Sequence, residues 1–292
     1  MPRPGTVARV TTDVQTCYRH GDRRAGVRCQ RCDRPICPSC MHQASVGFHC
    51  PECVRGSAQQ VHTMGTLRRS GGAPVTSALV ALNLAVYVVS SIGAGLAEPS
   101  SSVQLRWALI GRGFSPDLGL VGVAEGEWYR LVTGGFLHGG LLHLAFNMYV
   151  LWVLGRQLEP AMGRAPFAAV YLTSLLAGSL GVMVLDPDAL TVGASGAVFG
   201  LFGYALVAQY ARGVNPMQTG LGGIVLLNLA FTFLVPGISV GGHVGGLVGG
   251  LVAGLLHDVL RPRVGAPVAA GVVMVAALGV ACAVAAVAFA GA

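Results

Sequence analysis

Beyond residue 73 the chain is a succession of long apolar runs broken by short polar stretches. Seven runs stand out, near 74–96, 134–155, 165–185, 191–211, 219–236, 239–259 and 266–290. A helix rising 1.5 Å per residue needs about 20 apolar residues to cross a hydrocarbon core of about 30 Å. The pattern therefore predicts seven membrane-spanning helices. The polar residues inside the runs are few. His143 and Asn147 stand four apart, on one helical face; Ser195 lies among glycines; His243 is followed by Gly246 and Gly250 on its own face. The first 70 residues contain no apolar h-region, so no secretory signal is expected.

Composition supports the membrane reading. Of 292 residues, 53% are hydrophobic and 11% charged, where a soluble domain carries about 25% charged residues. All 19 basic residues are arginines. Eleven precede Ala73 against four acids, a net of +7, while the rest of the chain balances eight arginines with eight acids. Nucleic acid is not expected as a partner, because no aromatic residues interleave with the basic ones. The positive-inside rule explains the charge better. With the N-terminus cytoplasmic, sixteen arginines fall inside and three (Arg106, Arg112, Arg130) outside. Seven spans then leave the C-terminus extracytoplasmic. The loop from about 97 to 133, with Trp107, Trp128, Tyr129 and Arg130, is expected to lie in the interface.

Seven of the eight cysteines crowd between Cys17 and Cys53, in pairs two residues apart: Cys17 with His20, Cys29 with Cys32, Cys37 with Cys40, Cys50 with Cys53. Each pair can grip one tetrahedral metal, and eight ligands suit two zinc ions. So few apolar residues accompany them that metal must supply the folding energy. A disulfide framework is the weaker reading, since paired spacing with a histidine favours metal. His42 and His49 are spare ligand candidates. The pattern resembles a B-box-like or RING-like cross-braced zinc finger, which implies that the first and third pairs share one ion and the second and fourth the other. Cys282, in an apolar run, reads as a small buried hydrophobe.

On that topology His138, His143, Asn147, Ser195 and His243 all fall in the outer halves of their spans. A serine with a histidine base and oxyanion donors makes a serine hydrolase. Glycines beside Ser195 (Gly196, Gly200, Gly203) and after His243 would let their helices approach closely; ordinary helix packing explains such glycines equally well. No carboxylate is placed to orient the imidazole, so the site reads as a Ser–His dyad. A transporter would want midplane ionisable residues and internal repeats, which the third, fifth and seventh runs lack.

These residues together resemble the rhomboid family of intramembrane serine proteases. The likeness covers about residues 75–260: Glu127-Trp128-Tyr129-Arg130, the His138, His143, Asn147 pattern, Gly155-x3-Glu159-x3-Gly163, Gly193-Ala194-Ser195-Gly196, and His243-x2-Gly246-x3-Gly250. The resemblance implies an all-α polytopic membrane protein with a six-helix core over 74–260 and an added seventh helix over 261–292; ahead of that core, the residues themselves read as a disordered start over 1–16, a zinc-binding domain over 17–53 and a flexible linker over 54–73. The resemblance also implies cleavage of the transmembrane segments of other proteins near the extracytoplasmic face. Ser195 would be the nucleophile, His243 the base, and His143 and Asn147 the oxyanion donors, with Gly193, Phe199 and His138 in support. Phe199 stands where the family often has tyrosine, and Gly242 where alanine is frequent. Arg130 and Glu127 are expected to anchor the loop, and Glu159 to cap helix ends. The alternative is a catalytically inactive rhomboid-like protein acting as a binding or trafficking adaptor through its zinc finger, with a cytoplasmic protein as the finger's candidate partner.

Overall fold

The computed structural model describes residues 15–44, 47–56, 72–95 and 99–291. The expected disordered start, apart from residues 15 and 16, and most of the expected linker, with Arg68 and Arg69, lie outside the described residues. The chain divides into two compact units, Met1–Leu67 and Arg68–Ala292.

In the first unit, β1 (Val27–Arg28) pairs antiparallel with β2 (Pro35–Ile36), and β3 (His42–Gln43) with β4 (Phe48–His49). A short helix, α1 (Pro51–Gly56), follows. Among its described residues, Ile36 is the one aliphatic side chain in the buried core; the rest are cysteines 17, 29, 37, 40 and 50. So small an apolar core cannot hold a fold without cross-links or metal.

The second unit is helical: α2 (Pro74–Ser90), α3 (Ser101–Trp107), α4 (Arg130–Thr133), α5 (Leu141–Met162), α6 (Arg164–Leu185), α7 (Ser195–Ala211), α8 (Leu221–Leu234), α9 (Val240–Gly254) and α10 (Val268–Ala290). Helix α9 runs on without a break through a π-helical turn, Leu255–Leu260, to Arg263. A small hairpin, β5 (Gly113–Ser115) with β6 (Gly119–Val121), lies in the long loop before α4.

An apolar helix stands on each of the seven predicted runs, but their lengths differ from the expectation. Among the described residues three helices, α6, Val240–Arg263 and α10, are long and apolar enough to cross a membrane. A fourth counts if Arg130–Phe136 and Leu141–Met162, bent by 95°, form one broken span. Helices α2, α7 and α8 are shorter, 10–17 residues. The cause is local. The predicted start of the fourth run, 191–194, is extended: Thr191 exchanges backbone hydrogen bonds with Leu109 (2.8 and 3.0 Å), and the Gly193 N–H donates to Gly134 O at 3.0 Å. Gly193 has φ +125°, a backbone state that favours glycine. Helix α7 therefore starts at Ser195. The same holds for the second run, where His138 lies in the bend ahead of α5 and not on the helix of His143.

Helix α9 is wedged between α6 and α7. Glycines on two of its faces make this possible. A Cβ on Gly246 or Gly250 would meet the backbone oxygen of Gly196 or Gly200 on α7; one on Gly241 or Gly245 would meet that of Gly181 or Ala177 on α6. The small residues flanking Ser195 and His243 thus bring backbone against backbone. On the other side of α6, α10 is held by Thr173 Oγ1, which donates to Val275 O at 2.8 Å.

The two charged anchors act as expected. Glu159 on α5 accepts from Val75 N (2.9 Å), Thr76 N (2.8 Å) and Thr76 Oγ1 (2.8 Å), capping the first turn of α2. Arg130 is fully buried. Its Nε donates to Glu127 at 2.7 Å and one terminal nitrogen to Leu105 O and Ala108 O, both at 2.9 Å. Glu127 also accepts from Gly122 N at 2.7 Å. Burial raises the Glu127 carboxyl, but these donors outweigh it and hold the group below the ordinary glutamate value. In the loop that was expected at the interface, Trp128, Phe114 and Leu120 turn outward, 61%, 71% and 60% exposed.

Candidate active site

Ser195 is the first residue of α7, and no side chain caps that helix end. The early N–H groups of a helix have no intrahelical acceptor. Here they open into a pocket lined by Gly193, Ser195 and Gly196 together with Gly135, Ser239 and Gly242.

One turn along α7, Phe199 stacks on the His243 ring, with centroids 4.1 Å apart and planes within 18°. Residues i and i+4 share a helix face, so the imidazole lies on the Ser195 side of α7. Ser195 Oγ and His243 make no hydrogen bond with each other among the described residues. Catalytic hydrogen bonds are often long without substrate. The other edge of the ring is held: His243 Nδ1 lies 2.8 Å from Thr232 Oγ1 on α8. Nothing in the sequence singles out Thr232. The only signal is that Asn228 and Thr232 form an i, i+4 polar pair in an otherwise apolar run.

His143 comes to the same place from α5. A Cβ on Gly193 would lie 2.8 Å from His143 Nε2 and 3.6 Å from Ser195 Oγ. Gly193 thus sits between them, and its missing side chain keeps the space open. His143 Nδ1 accepts from Gly139 N at 3.4 Å, which leaves Nε2 as the protonated nitrogen. Asn147, one turn on, gives one amide N–H to His143 O at 2.9 Å and keeps the second. His138 is fully buried, edge-on to His143 at 5.2 Å, with neither ring nitrogen bonded.

In the first unit the eight ligand candidates gather as two groups. One is Cys17, His20, Cys37 and Cys40; the other is Cys29, Cys32, Cys50 and Cys53, and within each all ligand atoms lie within 4.8 Å of one another. His42 and His49 face each other across β3 and β4 and join neither. None of the described cysteines is joined in a disulfide. Cys32 and Cys50 sulfurs are 3.7 Å apart, and His20 Nδ1 lies 3.4 Å from the sulfurs of Cys37 and Cys40. Ligands about 2.3 Å from a tetrahedral ion are spaced about 3.8 Å apart, whereas a disulfide needs about 2 Å. Burial raises the Cys17 and Cys29 thiols, but backbone N–H donors outweigh it and draw both down to about 6. These residues fit metal ions, and the pairing is first with third and second with fourth.

The family model described as "Rhomboid domain" matches residues 125–258. The rhomboid protease GluP of Bacillus subtilis (strain 168) is 37% identical over 124 residues, 41% of this chain and 24% of that protein. RHOMBOID-like protein 5 of Arabidopsis thaliana is 40% identical over 121 residues, covering 38% of each. Rhomboid-like protease 3 of Toxoplasma gondii is 31% identical over 118 residues, 40% of this chain and 42% of that protein. The chain thus spans less than half the length of each of these three relatives. The matched segment holds α4 through α9, and with it the bend, the uncapped serine helix and the glycine-lined histidine helix described above. Over residues 125–258, this multi-pass membrane protein carries a rhomboid domain.

Proposed function

We propose that the chain is an intramembrane serine endopeptidase that cuts transmembrane segments of other membrane proteins. The observation that carries the reading is the seating of His243: stacked on Phe199, it is held on the Ser195 side of α7. In the first half-reaction His243 Nε2 takes the Ser195 Oγ proton as Oγ bonds to the substrate carbonyl carbon. The oxyanion accepts from the Ser195 N–H at the start of α7, His143 Nε2 and the free Asn147 N–H. The tetrahedral centre collapses, the peptide C–N bond breaks, and His243 returns the proton to the leaving amine. Water then repeats the sequence on the acyl-serine and frees the acid. With no carboxylate bonded to His243 among the described residues, oxyanion stabilisation and binding carry a larger share of the catalysis. His138 supports the ring of His143 by packing.

A helix hides its carbonyls, so substrates should carry Gly or Pro near the cut, where the backbone opens. With the N-terminus cytoplasmic, the cut lies near the extracytoplasmic face. Two zinc ions, held by Cys17, His20, Cys37 and Cys40 and by Cys29, Cys32, Cys50 and Cys53, hold the N-terminal unit together and take no part in hydrolysis.

The test is cleavage of a single-span reporter together with labelling by a serine-directed fluorophosphonate. Ser195→Ala and His243→Ala should each abolish both while still inserting in membranes. Asn147→Ala should lose about 10²–10³-fold in kcat. Retained cleavage by Ser195→Ala or His243→Ala would refute the dyad.

A further inference from the structure

A dyad histidine must present an unprotonated Nε2 to the serine, which requires the proton to sit on Nδ1. Serine hydrolases with a triad secure this with a carboxylate. The residues around His243 offer none: Phe199 covers one face, and Asp258 belongs to the far end of the same helix, where it bonds Tyr204 and His257. The edge carrying Nδ1 meets Thr232 Oγ1 at 2.8 Å.

A hydroxyl can donate or accept, and proton accounting decides between the two. Thr232 Oγ1 also lies 2.8 Å from Asn228 O, a carbonyl that can only accept. The single hydroxyl proton is therefore spent on Asn228. Toward His243 the oxygen has lone pairs alone, so Nδ1 must be the donor. Thr232 is 2% exposed, so water does not compete for it.

We infer that Thr232 is a positioning residue of the catalytic site: it sets the Nδ1–H tautomer of His243 and so leaves Nε2 free to act as base. The inference rests on the dyad reading for its consequence in turnover, but not for the tautomer itself. It also ties the base to the seat of α8. That helix buries only Gly222, Val225 and Thr232, while Phe231, Phe233 and Leu234 are exposed. Thr232 is thus its one buried polar residue, and displacing α8 removes the acceptor from His243.

The test has two arms on the full-length protein in detergent micelles. The first needs no turnover. Ring ¹⁵N spectra are recorded with histidine labelling in the Ser195→Ala background, the His243 signal being the one lost in His243→Ala. His243 should be in the Nδ1–H form, and Thr232→Val, which keeps the shape, should move it to the Nε2–H form or a mixture. The second arm is reporter cleavage. Thr232→Val should lower kcat about 10–100-fold with KM little changed, short of the ~10⁴ that a wrong tautomer costs a triad enzyme. Thr232→Ser, which restores the acceptor, should recover most of the loss. An Nε2–H tautomer in the Thr232 parent, or a Thr232→Val variant with unchanged spectrum, would overturn the inference. So would a Thr232→Ser variant as impaired as Thr232→Val, because that would assign the loss to packing. Cleavage that survives Ser195→Ala would refute the dyad reading, while the spectra would still decide the role of Thr232.

Discussion

Gly246 has room for a hydrogen and nothing more. A Cβ there would run into the backbone of Gly196, the residue after the proposed nucleophile. Gly223 on α8 has no atom within 4 Å of the same position. The pair separates close approach from mere helix propensity. Gly246→Val should cost about 1–3 kcal/mol by overpacking and abolish cleavage, because it forces α9 and α7 apart. Gly223→Ala should change stability by less than about 1 kcal/mol. Thermal unfolding in micelles with a cleavage assay checks both, and equal stability of Gly246→Val and the parent would show that the glycine contact is dispensable. At this scale the sequence was readable: glycines at i+3 and i+7 from His243, and at i+1, i+5 and i+8 from Ser195, mark the faces that meet. It did not assign Thr232, because a threonine paired at i, i+4 with Asn228 in an apolar run looks the same whether it bonds its own helix alone or another residue's ring as well.

At the scale of elements, loops do much of the positioning. The extended segment before α7 is held by Leu109 and Gly134, and the loop that supplies Leu109 is held by Arg130, whose guanidinium ties Leu105, Ala108 and Glu127 together. This arrangement predicts a pH effect. The Glu127 carboxyl is held below the ordinary glutamate value. A depressed carboxyl contributes stability that is complete above the unfolded-state value, about pH 4.3, and is lost as pH falls through the folded value. The stability difference between the parent and Glu127→Gln should therefore be constant near neutrality, begin to shrink below about pH 4.3, and vanish only once the pH is under the folded-state value. A difference that stays flat through the acid range would mean that the carboxylate charge does not hold the loop. The sequence pointed to Arg130 and Glu127 as anchors, and to Glu159 as a cap. It did not reveal their partners, because main-chain carbonyls and N–H groups leave no trace in side-chain identity.

At the scale of the whole molecule, two units of different physics share one chain. One is a thiol-lined unit with Ile36 as the sole buried aliphatic side chain among its described residues, the other a helical unit packed through glycines. Purified full-length protein should contain two zinc ions per chain by elemental analysis. Deleting residues 1–60 should remove both and leave fluorophosphonate labelling of Ser195 intact. One ion per chain would contradict the two-group arrangement, and lost labelling in a correctly inserted deletion would make the finger part of the catalytic fold. Reporters fused at residue 1 and after residue 292 should read cytoplasmic and extracytoplasmic respectively; the same compartment for both would undo the topology.

The sequence by itself determined the apolar runs, the grouping of ligands two residues apart, and the small residues on the faces of Ser195 and His243. Each of these is a pattern of side-chain type at a spacing set by helix or turn geometry, so it is written in the residue order. Only the tertiary structure decided where α7 begins, that His138 sits in a bend and not on the helix of His143, and that three apolar helices are short. The start of α7 depends on long-range backbone contacts, Thr191 with Leu109 and Gly193 with Gly134, which no local propensity encodes. The same is true of His243. That His243 meets Phe199 on its face and Thr232 on its edge follows from how closely glycine lets three helices approach.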